Sequence, residues 1–263
     1  MKHRMYVLVG LCALAAPAET IQERGKRVVD EAVQALGGEK FLNMKDRVET
    51  GRAYSFYRDE LKGLSVATVY TRYLDRAPAG ALAQRERQAF GKDEYSSVLF
   101  TDGKGYEITF RGARPLPEET LSRYEDTTKR NILYILRNRL EEPGMIFESR
   151  GMEIENNRPV EIVDITDAEN DTVTVSFDRS TKLPVRQVFY RRDPQTRERM
   201  EEVTIFSKYR DVGDGVMWPY AIERKRNGDK IFEMYSENVA INQNLTDDRF
   251  TLPTNMKILA KPK

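Results

Sequence analysis

The feature that most constrains this chain is a change of period. From residue 48 to residue 241 apolar residues recur at every second position in short runs, the spacing of half-buried strands. A helical stretch between prolines breaks the series once. Runs at 48–57, 64–74, 82–90, 94–100 and 106–112 come before it. Runs at 145–155, 160–166, 172–177, 184–192, 201–209, 216–226 and 230–241 follow it. The alternation is cleanest in "GYEITF", where Tyr106, Ile108 and Phe110 share one side. Asp102-Gly103-Lys104-Gly105 and Asn227-Gly228 are tight-turn signals that join neighbours as antiparallel hairpins. At the second hairpin a two-residue turn sets Ile222 opposite Glu233. A shift of one residue sets it opposite Met234, which keeps apolar beside apolar and is the register expected.

A sheet of about ten strands curls and acquires a concave face. The expected fold is α+β: a curved antiparallel sheet with an N-terminal helix and an inserted helical lid. The N-terminal helix reads over 20–36, with Ile21, Val28, Val29, Ala32, Val33 and Leu36 on one face, Thr20 as cap and Gly37-Gly38 as stop. A short helical turn over 39–44 follows it. The inserted stretch, 115–144, carries acids in its first turn and arginines near its end, as the helix dipole favours. Its apolar residues, among them Ile132, Leu133, Ile135 and Leu136, gather in its second half.

The first twenty residues look like a secretion signal. Lys2, His3 and Arg4 precede an apolar run from Met5 to Ala16, and Ala16-Pro17-Ala18 is the small-x-small pattern of a cleavage site. The run is shorter than the roughly 20 apolar residues a spanning helix needs. Bulky Leu11 before Cys12 argues against lipid attachment. The expected organisation is a signal peptide over 1–18 and one domain over 19–263, exported to the periplasm and soluble there. Loss of Lys2 and Arg4 takes the 43 basic residues to 41 against 42 acids. So even a balance offers no electrostatic case for nucleic acid.

The chain has one His and one Cys, and both His3 and Cys12 lie in the expected leader. A mature chain without them has no Cys/His zinc site, no His-activated nucleophile and no disulfide. Carboxylates, Lys, Tyr or an oxygen-held cation remain for chemistry. The acids of "VDITDAEND", Asp164, Asp167, Glu169 and Asp171, lack the glycine and terminal Glu of a calcium loop and read as a strand connection. No metal or cofactor is expected, and no catalytic residue stands out.

Several local phrases, taken in order, resemble the LolA/LolB superfamily of outer-membrane lipoprotein-sorting proteins. "YLDRAPAG" is similar to its Arg-Pro strand segment, "LFTDGKGYEITF" to its Asp-Gly-Lys hairpin, and "TDDRFTLP" to its terminal Phe-x-x-Pro signature. The late strands "LPVRQVFYRRD", "YRDVGDGVMWPYAIER" and "NGDKIFEMYSENVAIN" look alike to that group too. The resemblance implies an unclosed β-barrel under helices, with an apolar cavity for acyl chains. It also implies a lid latch at Arg76, here separated from Pro78 by Ala77. The expected function is a non-enzymatic periplasmic carrier or chaperone of lipoprotein acyl chains or other lipids. Its partners would be membrane-bound donor and acceptor proteins, and the chain itself a monomer. The expected lining is Tyr54, Phe56, Tyr106, Ile108, Phe110, Trp218, Tyr220 and Ile222, with Ile132, Ile135 and Leu136 from the lid. Two other functions fit the residues: an exported carbohydrate-active enzyme with paired carboxylates, and a non-catalytic subunit of an envelope complex that pairs through sheet edges.

Overall fold

A computed structural model describes residues 18–77, 81–193 and 196–261. Of the expected leader only Ala18 falls within them, and Pro78 lies outside. Thirteen strands form one antiparallel sheet that does not close into a barrel. They make two meanders. The first is β1 (Asp46–Tyr57), β2 (Glu60–Tyr73), β3 (Gln84–Phe90), β4 (Ser96–Thr101), β5 (Lys104–Thr109) and β6 (Gly112–Pro115). The second is β7 (Ile146–Glu155), β8 (Arg158–Thr166), β9 (Thr172–Asp178), β10 (Pro184–Arg192), β11 (Arg199–Asp211), β12 (Met217–Arg226) and β13 (Asp229–Ile241). The first and last strands, β1 and β13, pair in the middle and join the meanders.

That pairing decides where the lid goes. β6 and β7 are the two outer edges of the sheet, yet they are consecutive in the chain. The connection between them must travel from one edge to the other, and it crosses the inner face. It forms two helices, α3 (Glu118–Lys129) and α4 (Ile132–Asn138), where the sequence pattern suggested one. The break falls at Asn131, which leaves helical geometry and whose side chain accepts a hydrogen bond from the Leu133 N–H, starting α4 afresh.

Two further helices precede the sheet. α1 (Ile21–Leu36) starts in a reciprocal capping box between Thr20 and Glu23 and buries Val28, Val29, Ala32, Val33 and Leu36. α2 (Glu39–Leu42) buries Phe41. Gly25 allows α1 to lie close on β7, since a Cβ there would stand 2.5 Å from the Phe147 carbonyl oxygen.

At the β12–β13 hairpin the two-residue turn and the shifted register both occur. Arg226 pairs with Asp229 and Ile222 with Met234, because a bulge between Arg224 and Lys225 absorbs one residue.

Candidate functional site

The inner face of the curled sheet is the concave surface available for a site, and its two halves differ in chemistry. Under α1, α2 and α4 it is apolar. Val163, Ile165, Val173, Val175, Phe177, Phe189 and Phe206 come from the sheet. Ile132, Leu133, Ile135 and Leu136 of α4 press on them. Trp218 and Tyr220 close the same cluster, with Ile222 packed at its margin. Leu and Ile suit α4 here because a helix of seven residues owes its stability to packing rather than to propensity.

Under α3 the inner face is polar. α3 contributes no fully buried residue, although its Tyr124 ring stacks on Phe100 of β4 at 3.5 Å between centroids. Beneath it, β1 supplies Arg47 and Glu49, β3 Glu86, β11 Glu202, β12 Arg224 and β10 Arg191; strand register places these on one face. Arg47 bonds Thr71 at 3.0 Å, approaches Glu49 at 3.6 Å and lies over the Trp218 ring at 4.1 Å. Glu202 accepts from Arg226 at 2.9 Å and is 3.4 Å from Arg191. Burial pushes the Glu86 carboxyl above its ordinary value, with the bond from Gln88 working against it. Desolvation likewise favours a neutral Tyr124, and the nearby Glu86 adds to the effect.

The lid is tied down by polar bonds around its apolar contacts. Gln187 on β10 accepts from the Ile132 N–H at 2.7 Å and donates to the Arg130 carbonyl at 3.2 Å. Arg130 reaches Asp126 at 2.8 Å and Asp171 at 2.9 Å. Arg139 reaches Glu142 at 2.8 Å and Asp167 at 3.1 Å. The acidic loop "VDITDAEND" therefore anchors lid arginines, and among the described residues no group of three or more potential ligands could hold a metal ion. This anchoring escaped the sequence reading because the loop and the lid lie about thirty residues apart or more and meet only through the sheet.

The other expected lining residues fall elsewhere. Tyr106 and Ile108 face the opposite, outer side, where Leu99, Ile108, Ala113 and Phe250 form a second apolar cluster. Phe110 sits at the β5–β6 turn and is 90% exposed. Tyr54 meets Tyr235 edge-on at 6.0 Å, one residue out of phase with the inner positions Ala53 and Ser55, and so faces outward. The half-buried Phe56 lies 5.3 Å from the Lys230 ammonium. Arg76 is exposed in the loop after β2. Of the residues expected to line a cavity, then, Ile132, Ile135, Leu136, Trp218, Tyr220 and Ile222 are brought together.

A depression of about 880 Å³ lies on the solvent side of α1, between Glu23, Lys26, Arg27 and Lys182. Its side chains are ion-paired with neighbours such as Asp30 and Glu31, and we assign it no role.

Solved structures of the same architecture exist. A domain described as that of an outer membrane lipoprotein-sorting protein from Vibrio parahaemolyticus aligns with a TM-score of 0.59 at 12% identity, over 88% of this chain and 97% of its own. A DUF1329 family protein from Desulfovibrio piger gives 0.58 at 12% identity, over 86% and 97%. A LolA superfamily protein from Nitrosomonas europaea gives 0.53 at 10% identity, over 86% and 97%. At these identities the likeness is one of fold, the LolA-type unclosed barrel. No protein-family profile matches the chain, and no curated protein matches its sequence.

Proposed function

We propose that the protein is a non-catalytic carrier of lipid acyl chains in the cell envelope, exported through its leader. The observation that carries this reading is the contact between α4 and the sheet. Ile132, Leu133, Ile135 and Leu136 occupy the apolar half of an otherwise concave face, while polar bonds from Arg130, Arg139 and Gln187 hold the helix in place. A short helix stapled over a greasy surface is a plug that a chain of methylenes can replace. Each buried methylene contributes about 0.8 kcal/mol, so ten would give about 8 kcal/mol toward displacing α4. The requirement to release that helix keeps binding reversible. The LolA-type fold supports the same reading. Among the described residues no helix is long and apolar enough to cross a membrane.

The test uses the full mature chain and its one tryptophan. A dodecyl-chain ligand added below its micelle concentration is expected to change Trp218 emission and to raise tryptic cleavage at Arg137 and Arg139 as α4 leaves the sheet. If emission and cleavage both stay unchanged up to the solubility limit, the carrier reading fails.

A further inference from the structure

The polar half of the inner face contains a cation that the fold does not use. Arg224 is half-buried on β12, in phase with Trp218, Tyr220 and Ile222. Among the described residues its guanidinium has no ion pair. Its Nε is buried without a hydrogen-bond partner. Among the described residues the terminal nitrogens make no hydrogen bond and are not fully buried. Its one described side-chain contact of note is the Phe232 ring, 5.7 Å away.

The surrounding charges are already committed. Glu49 serves Arg47 and the Ser236 hydroxyl, and Glu202 serves Arg226 and Arg191. Glu86 and Glu202 act on Arg224 only through space, and desolvation still pulls its pKa down. Burial raises the Glu86 carboxyl above its ordinary value, which weakens its repulsion of a nearby anion. A partly buried arginine without a hydrogen-bonded counter-ion is open to one that a ligand supplies.

Along its own strand the inward neighbours of Arg224 are Ile222, Tyr220 and Trp218, with Arg210 over the Tyr220 ring at 4.5 Å and Arg47 over the Trp218 ring at 4.1 Å at the far end. Ile222 pairs with Met234 on β13 and with Phe206 on β11, and beyond them lie Tyr220 and Trp218 under α4. From Arg224 to Trp218 is six residues of extended strand, about 20 Å, a span suited to a long acyl chain.

We propose that the inner face binds a single-chain amphiphile with an anionic head, carboxylate or phosphate, whose head is held by Arg224. This rests on the acyl-carrier reading and adds the head group to it. The chain runs along β12 toward Trp218, and the head lies under α3 beside Glu86.

Trp218 fluorescence of the full mature chain, titrated with dodecanoate, dodecyl phosphate and methyl dodecanoate, tests it. At least one of the two anions is expected to bind about tenfold or more tighter than the neutral ester, the effect of one charge-assisted contact. The better anion identifies the head. Arg224→Met should bring the anions down to the level of the ester while leaving ester binding intact, and Arg224→Lys should restore part of the preference. Thermal melts of both variants check that they fold. Equal binding of anion and ester by the native chain overturns the head-group assignment alone, as does a preference that survives Arg224→Met. Absence of binding by all three overturns the carrier reading with it.

Discussion

Two apolar clusters of this molecule are covered in different ways. The inner one lies under helices that pack on it through apolar side chains and are tied to the sheet by side-chain polar bonds. The outer one lies under the C-terminal tail, where Phe250 is fully buried with Leu99, Ile108 and Ala113. The tail is also clamped by backbone: the Ala113 N–H donates to the Lys257 carbonyl at 2.9 Å, and the Leu259 N–H donates to the Ala113 carbonyl at 2.8 Å. Arg85 binds Asp102 through two nitrogens at 3.0 and 3.1 Å and Asp247 at 3.1 Å, and Arg72 also reaches Asp247. Strand-like backbone bonds and a shared arginine make the outer cover part of the sheet. Among the described residues the inner cover has no backbone ladder to the strands beneath it, and such an element is the natural one to move.

The contrast breaks most sharply at Phe250. Phe250→Ala should cost about 3–5 kcal/mol of stability, measured by denaturant unfolding, while the folded fraction binds dodecyl ligands like the native chain. A change in affinity beyond the loss of folded protein would mean that the two covers are coupled. Arg139→Met comes next. It removes the bonds to Asp167 and Glu142 and should cost about 1.5–3 kcal/mol, yet it should raise affinity for methyl dodecanoate because the lid opens more easily. Lower affinity in a folded Arg139→Met protein would show that α4 is part of the binding surface and not its cover.

The smallest effect belongs to Glu86. Its carboxyl titrates above the ordinary 4.5 because burial disfavours the charged form. A carboxyl raised in the folded state contributes stability that is fully present below its unfolded value and is lost as pH rises through its folded value. The stability of the native chain relative to Glu86→Gln should therefore fall as pH climbs from about 4.5. A difference that stays flat with pH would place Glu86 in contact with water.

Much of this architecture was legible in advance. The period-two runs became strands, with 184–192 reproduced to the residue as β10. Thr20 caps α1 as its side chain suggested, and the Ile222–Met234 register followed from keeping apolar beside apolar. Asp102 and Phe250, from two of the motifs that carried the family resemblance, both lie by the C-terminal cover on the outer face. They speak for the fold, and the inner site has to be argued from other residues. Tyr106 and Ile108 show why: alternation tells which side chains share a face, but not which face is the inside.

The local pattern of the chain determined its strands, helix caps and turns, since each depends on neighbours a few residues away. The pairing of β1 with β13 is different, because it joins segments nearly two hundred residues apart. That single long-range ladder sends β6 and β7 to opposite edges, draws α3 and α4 across the hollow, and sets Arg224 facing inward with no ion pair among the described residues. Curvature and the meeting of distant strands decided those features, and neither is a property of any short stretch of sequence.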